Sequence, residues 1–368
     1  MSSAPVRVGV VGCGAISNAY FTAKQVFPIL DIVACADLVP ERAAAKAKEH
    51  GIARALSVDE LLADPQIEVV LNLTVPKAHA ELNRRALAAG KHVYLEKPLG
   101  ISRAEGKQTM QLARRQGLRV GCAPDTFMGD GIQTCRRLLD SGAIGDPVGA
   151  TAYMMCHGHE SWHPSPEFYY EVGGGPVFDM GPYYLTALVN LIGPVKRVGS
   201  LARTTFATRT ITSEAKRGKV VKVETPTHIT GVLDFANGAT GALTMSFDVW
   251  RHRHSCIELY GTAGSLVVPD PNGFGGKVFL AKPGEDFVEM PLTTGHPEYQ
   301  RGAGLADMAY AIRGGRPHRA SGELAFHVLD IMAALLESGQ SGSFRTLSTT
   351  TTRPAAIPDG LAHGTLER

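Results

Sequence analysis

The residues best suited to chemistry fall in three places along the chain. The first is a glycine-rich turn, Gly12-Cys13-Gly14-Ala15-Ile16-Ser17, directly after the apolar run Val6–Val11. Gly12 permits a tight turn, Gly14 lets the backbone approach a pyrophosphate, and a helix opening at Ala15 and Ile16 offers its N-terminal amides to the negative charge. The second is Glu96-Lys97-Pro98, directly after Val93-Tyr94-Leu95. A lysine at the carboxyl end of a strand in an open α/β sheet stands where ligands bind, and here a nicotinamide ring would lie beside it. Such a neighbour should depress the lysine pKa and suit Lys97 to exchanging a proton with a substrate hydroxyl. The third is Gly173-Gly174-Gly175-Pro176-Val177-Phe178-Asp179-Met180-Gly181-Pro182-Tyr183-Tyr184. Pro176 is placed to open a helix, and the four-residue spacing of Asp179 and Tyr183 predicts that both project from one of its faces. A carboxylate and a phenol so placed can grip adjacent hydroxyls. The three together point to redox chemistry on a hydroxylated small molecule.

Further candidates flank these groups. Asp37 ends the second apolar run, where an acid accepts hydrogen bonds from a ribose 2′-hydroxyl and repels a 2′-phosphate. NAD is therefore expected rather than NADP; the alternative role for Asp37 is capping the helix that begins near Pro40. Ser17 stands at the third position of the glycine motif, small enough for close helix–strand packing. His157-Gly158-His159-Glu160-Ser161-Trp162-His163 packs three histidines into a short segment, but the spacing matches no standard zinc pattern and no metal is expected. His157 and Trp162 are instead candidates to hydrogen-bond and stack on a sugar ring. Asp125 is either a pocket residue or a turn residue before Gly129.

The elements that must position these groups follow from pattern. The runs Val6–Val11, Ile32–Ala36, Val69–Leu73, Val93–Leu95 and Val120–Ala123 are apolar nearly throughout, as strands buried on both faces of a parallel sheet must be. Helical periodicity separates them, which predicts a doubly wound Rossmann-type α/β sheet over residues 1–125. Beyond it the pattern changes. Ile229, Leu233 and Phe235, then Leu243, Met245 and Phe247, alternate with polar residues around the turn Asn237-Gly238. Further β segments are expected at 255–268 and 277–290, and helices around 303–313 and 323–337. Residues 126–346 thus read as an α+β domain on an open, mostly antiparallel sheet, and 347–368 as a surface arm. Arg251-His252-Arg253-His254 reads as a sheet or subunit-contact feature.

The 37 basic and 35 acidic residues leave a net charge of +2, so nothing favours nucleic acid or an anionic membrane surface. No apolar run approaches membrane-spanning length, and Met1–Pro5 leads straight into the first strand with no room for a signal peptide. Six scattered cysteines without a CxxC pair read as buried thiols, so a cytoplasmic protein is expected.

With these motifs in order, the chain resembles the Gfo/Idh/MocA oxidoreductases. The glycine-rich turn, Asn72-Leu73-Thr74-Val75-Pro76 with His79, Glu96-Lys97-Pro98 and the triple-glycine segment carry the resemblance across nearly the whole chain. It implies oxidation of a sugar, cyclitol or polyol hydroxyl, or reduction of the ketone, with a nicotinamide cofactor. It gives Lys97 the role of catalytic lysine and Asp179 that of orienting the substrate. Thr74, Pro76, His79 and Glu96 take places bordering the cofactor. The family commonly has histidine where this chain has Tyr183. A free tyrosine titrates near 10, so Tyr183 either transfers a proton as a phenolate stabilised by Lys97 or only hydrogen-bonds substrate, and the second is favoured. Two other functions are weighed: a redox-neutral oxidation, elimination and reduction on tightly held NAD, and a non-catalytic nucleotide-sensing regulator, against which Lys97 and Asp179 argue. A homodimer or homotetramer is expected, with the open sheet packing on a second copy.

Overall fold

Six short strands build the first sheet of the computed structural model, which describes residues 4–293 and 299–367. They are β1 Val6–Val11, β2 Leu30–Ala36, β3 Arg54–Leu56, β4 Val69–Asn72, β5 His92–Leu95 and β6 Val120–Cys122, all parallel, in the order β3-β2-β1-β4-β5-β6. Val8, Val10, Val69, Val70, Leu71, Val93 and Tyr94 have no exposed surface, because crossover helices cover both faces. Strand order reverses between β1 and β4. There the loops after two neighbouring strands part, leaving the crevice in which ligands of such sheets bind.

The second sheet is built from later strands: β7 Pro147–Met155, β8 Val195–Arg203, β9 Thr208–Thr210, β10 Val220–Lys222, β11 His228–Phe235, β12 Thr240–Ser246, β13 Ile257–Gly261, β14 Gly264–Val268, β15 Val278–Ala281, β16 Val288–Met290 and β17 Arg345–Thr346. Nine of them pair as β16-β15-β14-β13-β7-β12-β11-β8-β17, while β9 and β10 form a separate ribbon. β7 and β12 run parallel and the other pairs antiparallel. The expected hairpin is present as β11–β12, with Ile229 opposite Met245 and Gly238 at φ 92 in the turn. The helix Gly181–Leu191 is buried along its whole length. Later, His327 Nε2 accepts the Val195 N–H at 3.1 Å and Ser338 Oγ accepts the Ser200 N–H at 2.9 Å, fixing their helix to β8.

The chain divides into two units that differ from the expected boundaries. One contains Met1–Gln133, Thr293–Phe326 and Pro354–Arg368; the other contains Thr134–Leu292 and His327–Arg353. Residues 320–321 return to the edge of β6, where the Cys122 N–H reaches Ala320 O and Gly121 bridges Ser321. The C-terminal segment, expected as a surface arm, is anchored by buried side chains. Ile357, Leu361 and Leu366 are buried, and the Arg319 guanidinium donates to the carbonyls of Ala355, Ala356 and Leu366. Among the described residues, no helix is long and apolar enough to cross a membrane.

Candidate active site and cofactor cradle

The cradle begins where β1 ends. Gly12 has φ 104, and a Cβ there would lie 2.7 Å from the backbone carbon and oxygen of Leu73, so only glycine fits. A Cβ on Gly14 would meet nothing within 4 Å; that backbone is open for close approach. Ala15 is exposed, Ile16 is half-buried, and the helix Ser17–Val26 starts directly after them. Ser17 Oγ donates to Gly14 O at 2.6 Å, so this serine closes the turn in place of a third glycine.

Asp37, directly after β2, accepts the Cys13 N–H on Oδ2 at 2.8 Å and the Val39 N–H on Oδ1 at 2.9 Å. It therefore braces the glycine turn and closes a short turn ahead of the helix Pro40–His50, and each carboxylate oxygen retains acceptor capacity. Asp37 lines a cavity of about 500 Å³ together with Gly12, Gly14, Thr74, Arg42 and Arg85. The open Gly14 backbone, the positive φ of Gly12 and the acid at the end of β2 fit a dinucleotide.

The opposite rim comes from the loops after β4 and β5. Thr74 donates from N–H and Oγ1 to Asn72 Oδ1, at 3.1 and 2.6 Å, while buried Asn72 donates from Nδ2 to His79 O and Asn83 Oδ1. Pro76 opens the helix Pro76–Ala88, and His79 lies on its inner side, 1% exposed. Its Nδ1 lies 2.7 Å from Pro98 O and its Nε2 2.9 Å from Thr74 O. His79 thus ties the Thr74 loop to the loop carrying Lys97. Burial holds its pKa below the usual imidazole value, outweighing the two backbone contacts.

Lys97 is half-buried directly after β5, and its peptide bond to Pro98 is cis. Glu96 is fixed from two sides: Tyr20 Oη donates to Oε1 at 2.9 Å, and the Lys97 N–H donates to Oε2 at 3.1 Å. Tyr20 belongs to the helix after the glycine turn, so one carboxylate joins that helix to the Lys97 loop. Asp125 takes the turn role weighed for it, its carbonyl accepting the Met128 N–H just before Gly129. It has no exposed surface, and its Oδ2 accepts the N–H groups of Gly302 and Gly304, both at 2.9 Å, at the start of the helix Ala303–Gly314. Burial pushes its carboxyl up to about 6. This is a capping role on a helix remote in sequence.

The triple-glycine segment belongs to the second unit. A Cβ on Gly174 would lie 2.5 Å from Phe168 O, which explains glycine there. Pro176 opens a helix as expected, but that helix, Gly175–Asp179, ends at once, and a second runs from Gly181 to Leu191. Asp179 and Tyr183 therefore do not share one continuous helix. Pro182 has no N–H to carry the ladder through the junction, and Tyr183 N–H bonds to Met180 O instead. Asp179 is half-buried and Tyr183 is buried.

The histidine that reaches Asp179 is His159, with Nε2 3.3 Å from Asp179 Oδ2. It is buried among Tyr169, Phe247 and Trp162. Gly158, at φ 78, turns the chain between the two histidines, and His157 instead stacks on Trp250. Trp162 is 62% exposed and meets His159 edge-on. Among the described residues, no group of three or more His, Cys, Asp or Glu is arranged to hold a metal ion. Arg251 to His254 form an exposed connection between β12 and β13, with His254 stacked on Tyr153.

Comparison with known proteins agrees with this fold. The model of an oxidoreductase family with an NAD-binding Rossmann fold matches residues 6–123, and the GFO/IDH/MocA C-terminal domain matches residues 132–267. The chain is 29% identical over 333 residues to dTDP-3,4-didehydro-2,6-dideoxy-alpha-D-glucose 3-reductase of Saccharopolyspora spinosa, covering 83% of this chain and 91% of that protein. It is 27% identical over 233 residues to D-xylose dehydrogenase of Paenarthrobacter nicotinovorans, covering 60% of this chain and 59% of that one. A solved levoglucosan dehydrogenase, in complex with NADH and L-sorbose, shares the fold with a TM-score of 0.81 at 21% identity, over 94% of this chain and 99% of that one. With both family domains matched in order, the chain belongs to the GFO/IDH/MocA oxidoreductases, and its N-terminal domain is their NAD-binding Rossmann domain.

Proposed function

We propose that the protein is an NAD-dependent dehydrogenase or reductase that interconverts a hydroxyl and a ketone on a sugar, cyclitol or sugar derivative, with Lys97 as the proton carrier. The observation that carries this reading is the fixing of the Lys97 loop beside the cradle: Glu96 holds it to the helix after the glycine turn and His79 holds it to the Thr74 loop. Named relatives that act on sugars support the substrate class.

When bound, NAD supplies the hydride acceptor at its nicotinamide ring. Gly12, Gly14, Ala15 and Ile16 would hold its phosphates, Asp37 would hold the ribose hydroxyls and disfavour a 2′-phosphate, and Thr74 and Pro76 would border the cofactor. Lys97 Nζ accepts the proton of the substrate hydroxyl during oxidation and returns it during reduction. Asp179, steadied by His159, orients the substrate, and Tyr183 hydrogen-bonds it without transferring a proton. Trp162 offers an exposed aromatic face at the same segment. Exposed Val148, Leu201 and Val232 on the second sheet support a homodimer or homotetramer.

The test is NADH formation with NAD across aldoses, inositols, anhydrosugars and sugar acids, repeated with NADP. Turnover of one of these classes with NAD preferred is the expected result. NAD binding with no turnover across the panel overturns it.

A further inference from the structure

The second unit holds a pocket that the proposed chemistry leaves unused. It has a volume of about 530 Å³ and is bordered by His157, Ser161, Phe206, Arg209, Thr210 and Trp250. That volume lies within the range of small-molecule sites. Its walls are aromatic. His157 and Trp250 stack nearly parallel, with centroids 3.4 Å apart at 13°, and Phe206 stands edge-on to His157 at 80°. Trp250 is 78% exposed, so a large indole face is braced in place yet open to solvent.

The floor is polar without excess positive charge. Arg209 is 6% exposed, with Nη1 3.1 Å from Glu160 Oε1 and Nη2 on Asp248 Oδ1. Two carboxylates against one guanidinium leave nothing to attract a phosphate or a carboxylate. Arg209 Nε and His157 Nδ1 are nonetheless buried and without a hydrogen-bond partner among the described residues. Buried polar atoms are seldom left so, and both belong to side chains that line the pocket. Thr208 and Thr210, exposed on β9, and Ser161 add hydroxyls at the rim.

An open aromatic face, unpartnered buried nitrogens, a row of hydroxyls and no net cation together describe a receptor for an uncharged polyhydroxylated ring. Its C–H face would lie on the indole and its hydroxyls on the polar rim. The segment lining this pocket also serves Asp179, because Gly158 turns His157 toward Trp250 and leaves His159 on Asp179. We propose that the pocket binds a second, neutral glycosyl ring, so that the preferred substrate is a glycoside of at least two rings. The binding claim stands on the pocket alone; the link to turnover rests on the dehydrogenase reading.

The chain has two tryptophans, so the Trp250 signal is the fluorescence change that wild type shows and Trp250→Ala lacks. Both proteins are titrated with maltose, cellobiose and glucose and compared in steady-state kinetics on the same sugars. The expected result is a saturable Trp250 signal with a disaccharide, and a KM for that disaccharide about three- to tenfold higher in Trp250→Ala, with the KM for glucose and for NAD unchanged. No signal with either disaccharide overturns the proposal, as does an equal effect of Trp250→Ala on glucose and disaccharide. A Trp250 signal without NADH formation upholds the pocket and counts against the dehydrogenase reading. Turnover of glucose with a silent Trp250 does the reverse.

Discussion

His79 lies between two backbone carbonyls of different loops, which makes its removal informative. Its ring nitrogens are 2.7 Å from Pro98 O and 2.9 Å from Thr74 O, and the side chain is 1% exposed. Burial keeps it neutral at pH 7, and a neutral imidazole donates from one nitrogen at a time. His79→Phe keeps a ring in the slot and removes the one donor. A buried carbonyl left without its donor costs about 1–3 kcal/mol. His79→Ala adds a cavity, bringing the loss to about 2–5 kcal/mol. Urea unfolding reads both values, and the difference between the two variants separates the hydrogen bond from the packing. Because the ring joins the Thr74 and Lys97 loops, His79→Phe should also weaken NAD binding about tenfold, a loss of about 1.4 kcal/mol. If His79→Phe unfolds at the wild-type urea concentration and binds NAD with unchanged affinity, the ring does not tie the loops and the reasoning fails.

Other consequences follow from the same geometry. Burial lowers His327 to about 4, below the ordinary imidazole value of 6.5, and its Nε2 accepts the Val195 N–H, which the protonated ring cannot do. The unfolded chain therefore takes up the proton first, and stability should fall by up to about 3 kcal/mol as pH drops from 6.5 to 4. His327→Gln should flatten that slope in unfolding measured across pH, and an unchanged slope would refute the assignment. Asp125 has the opposite sign: its pKa is raised to about 6 from 3.8, so stability is lost as pH rises through that window. Asp125→Asn keeps an acceptor for Gly302 and Gly304, and should stabilise the protein by about 1–3 kcal/mol at pH 8 with no gain near pH 4. An equal loss at both pH values would contradict this. Gly12→Ala places a Cβ 2.7 Å from the Leu73 backbone at positive φ, and should abolish measurable NAD binding in calorimetry. Retention of wild-type affinity would show that the turn can relax.

The first sheet was readable because its strands are buried on both faces and so are apolar throughout. The exception is β3, Arg54–Leu56, a half-buried edge strand of three residues with no pattern to read. The β11–β12 hairpin was equally plain, since alternation and Asn237-Gly238 are local signals. The parallel pairing of β7 with β12 was not, because it joins segments far apart in the chain. The C-terminal segment escaped for another reason: Ile357, Leu361 and Leu366 are single anchors without periodicity, and what they meet is fixed by tertiary contacts such as Arg319 with Leu366 O. At the site, the glycine turn, Asp37 and the Lys97 loop follow from spacing. The break at Met180 was signalled by Gly181-Pro182, yet four-residue spacing suggested one helix. The choice of His159 over His157 depended on the left-handed turn at Gly158, which spacing cannot show. Asp125 read equally as a pocket or a turn residue, and the amides that claim its side chain come from a helix start at residues 302–304, too remote in sequence for spacing to show.

The central claim is that Lys97 carries the proton in an NAD-dependent oxidation. With a substrate in hand, the decisive measurement is the pH profile of kcat for wild type and Lys97→Ala, with NAD affinity measured beside it. The account predicts a loss of about 10²- to 10⁴-fold in kcat, disappearance of the limb belonging to the lysine, and unchanged NAD affinity. Turnover within about threefold of wild type, which is well below the usual effect of losing a general base, with the profile intact, would contradict it.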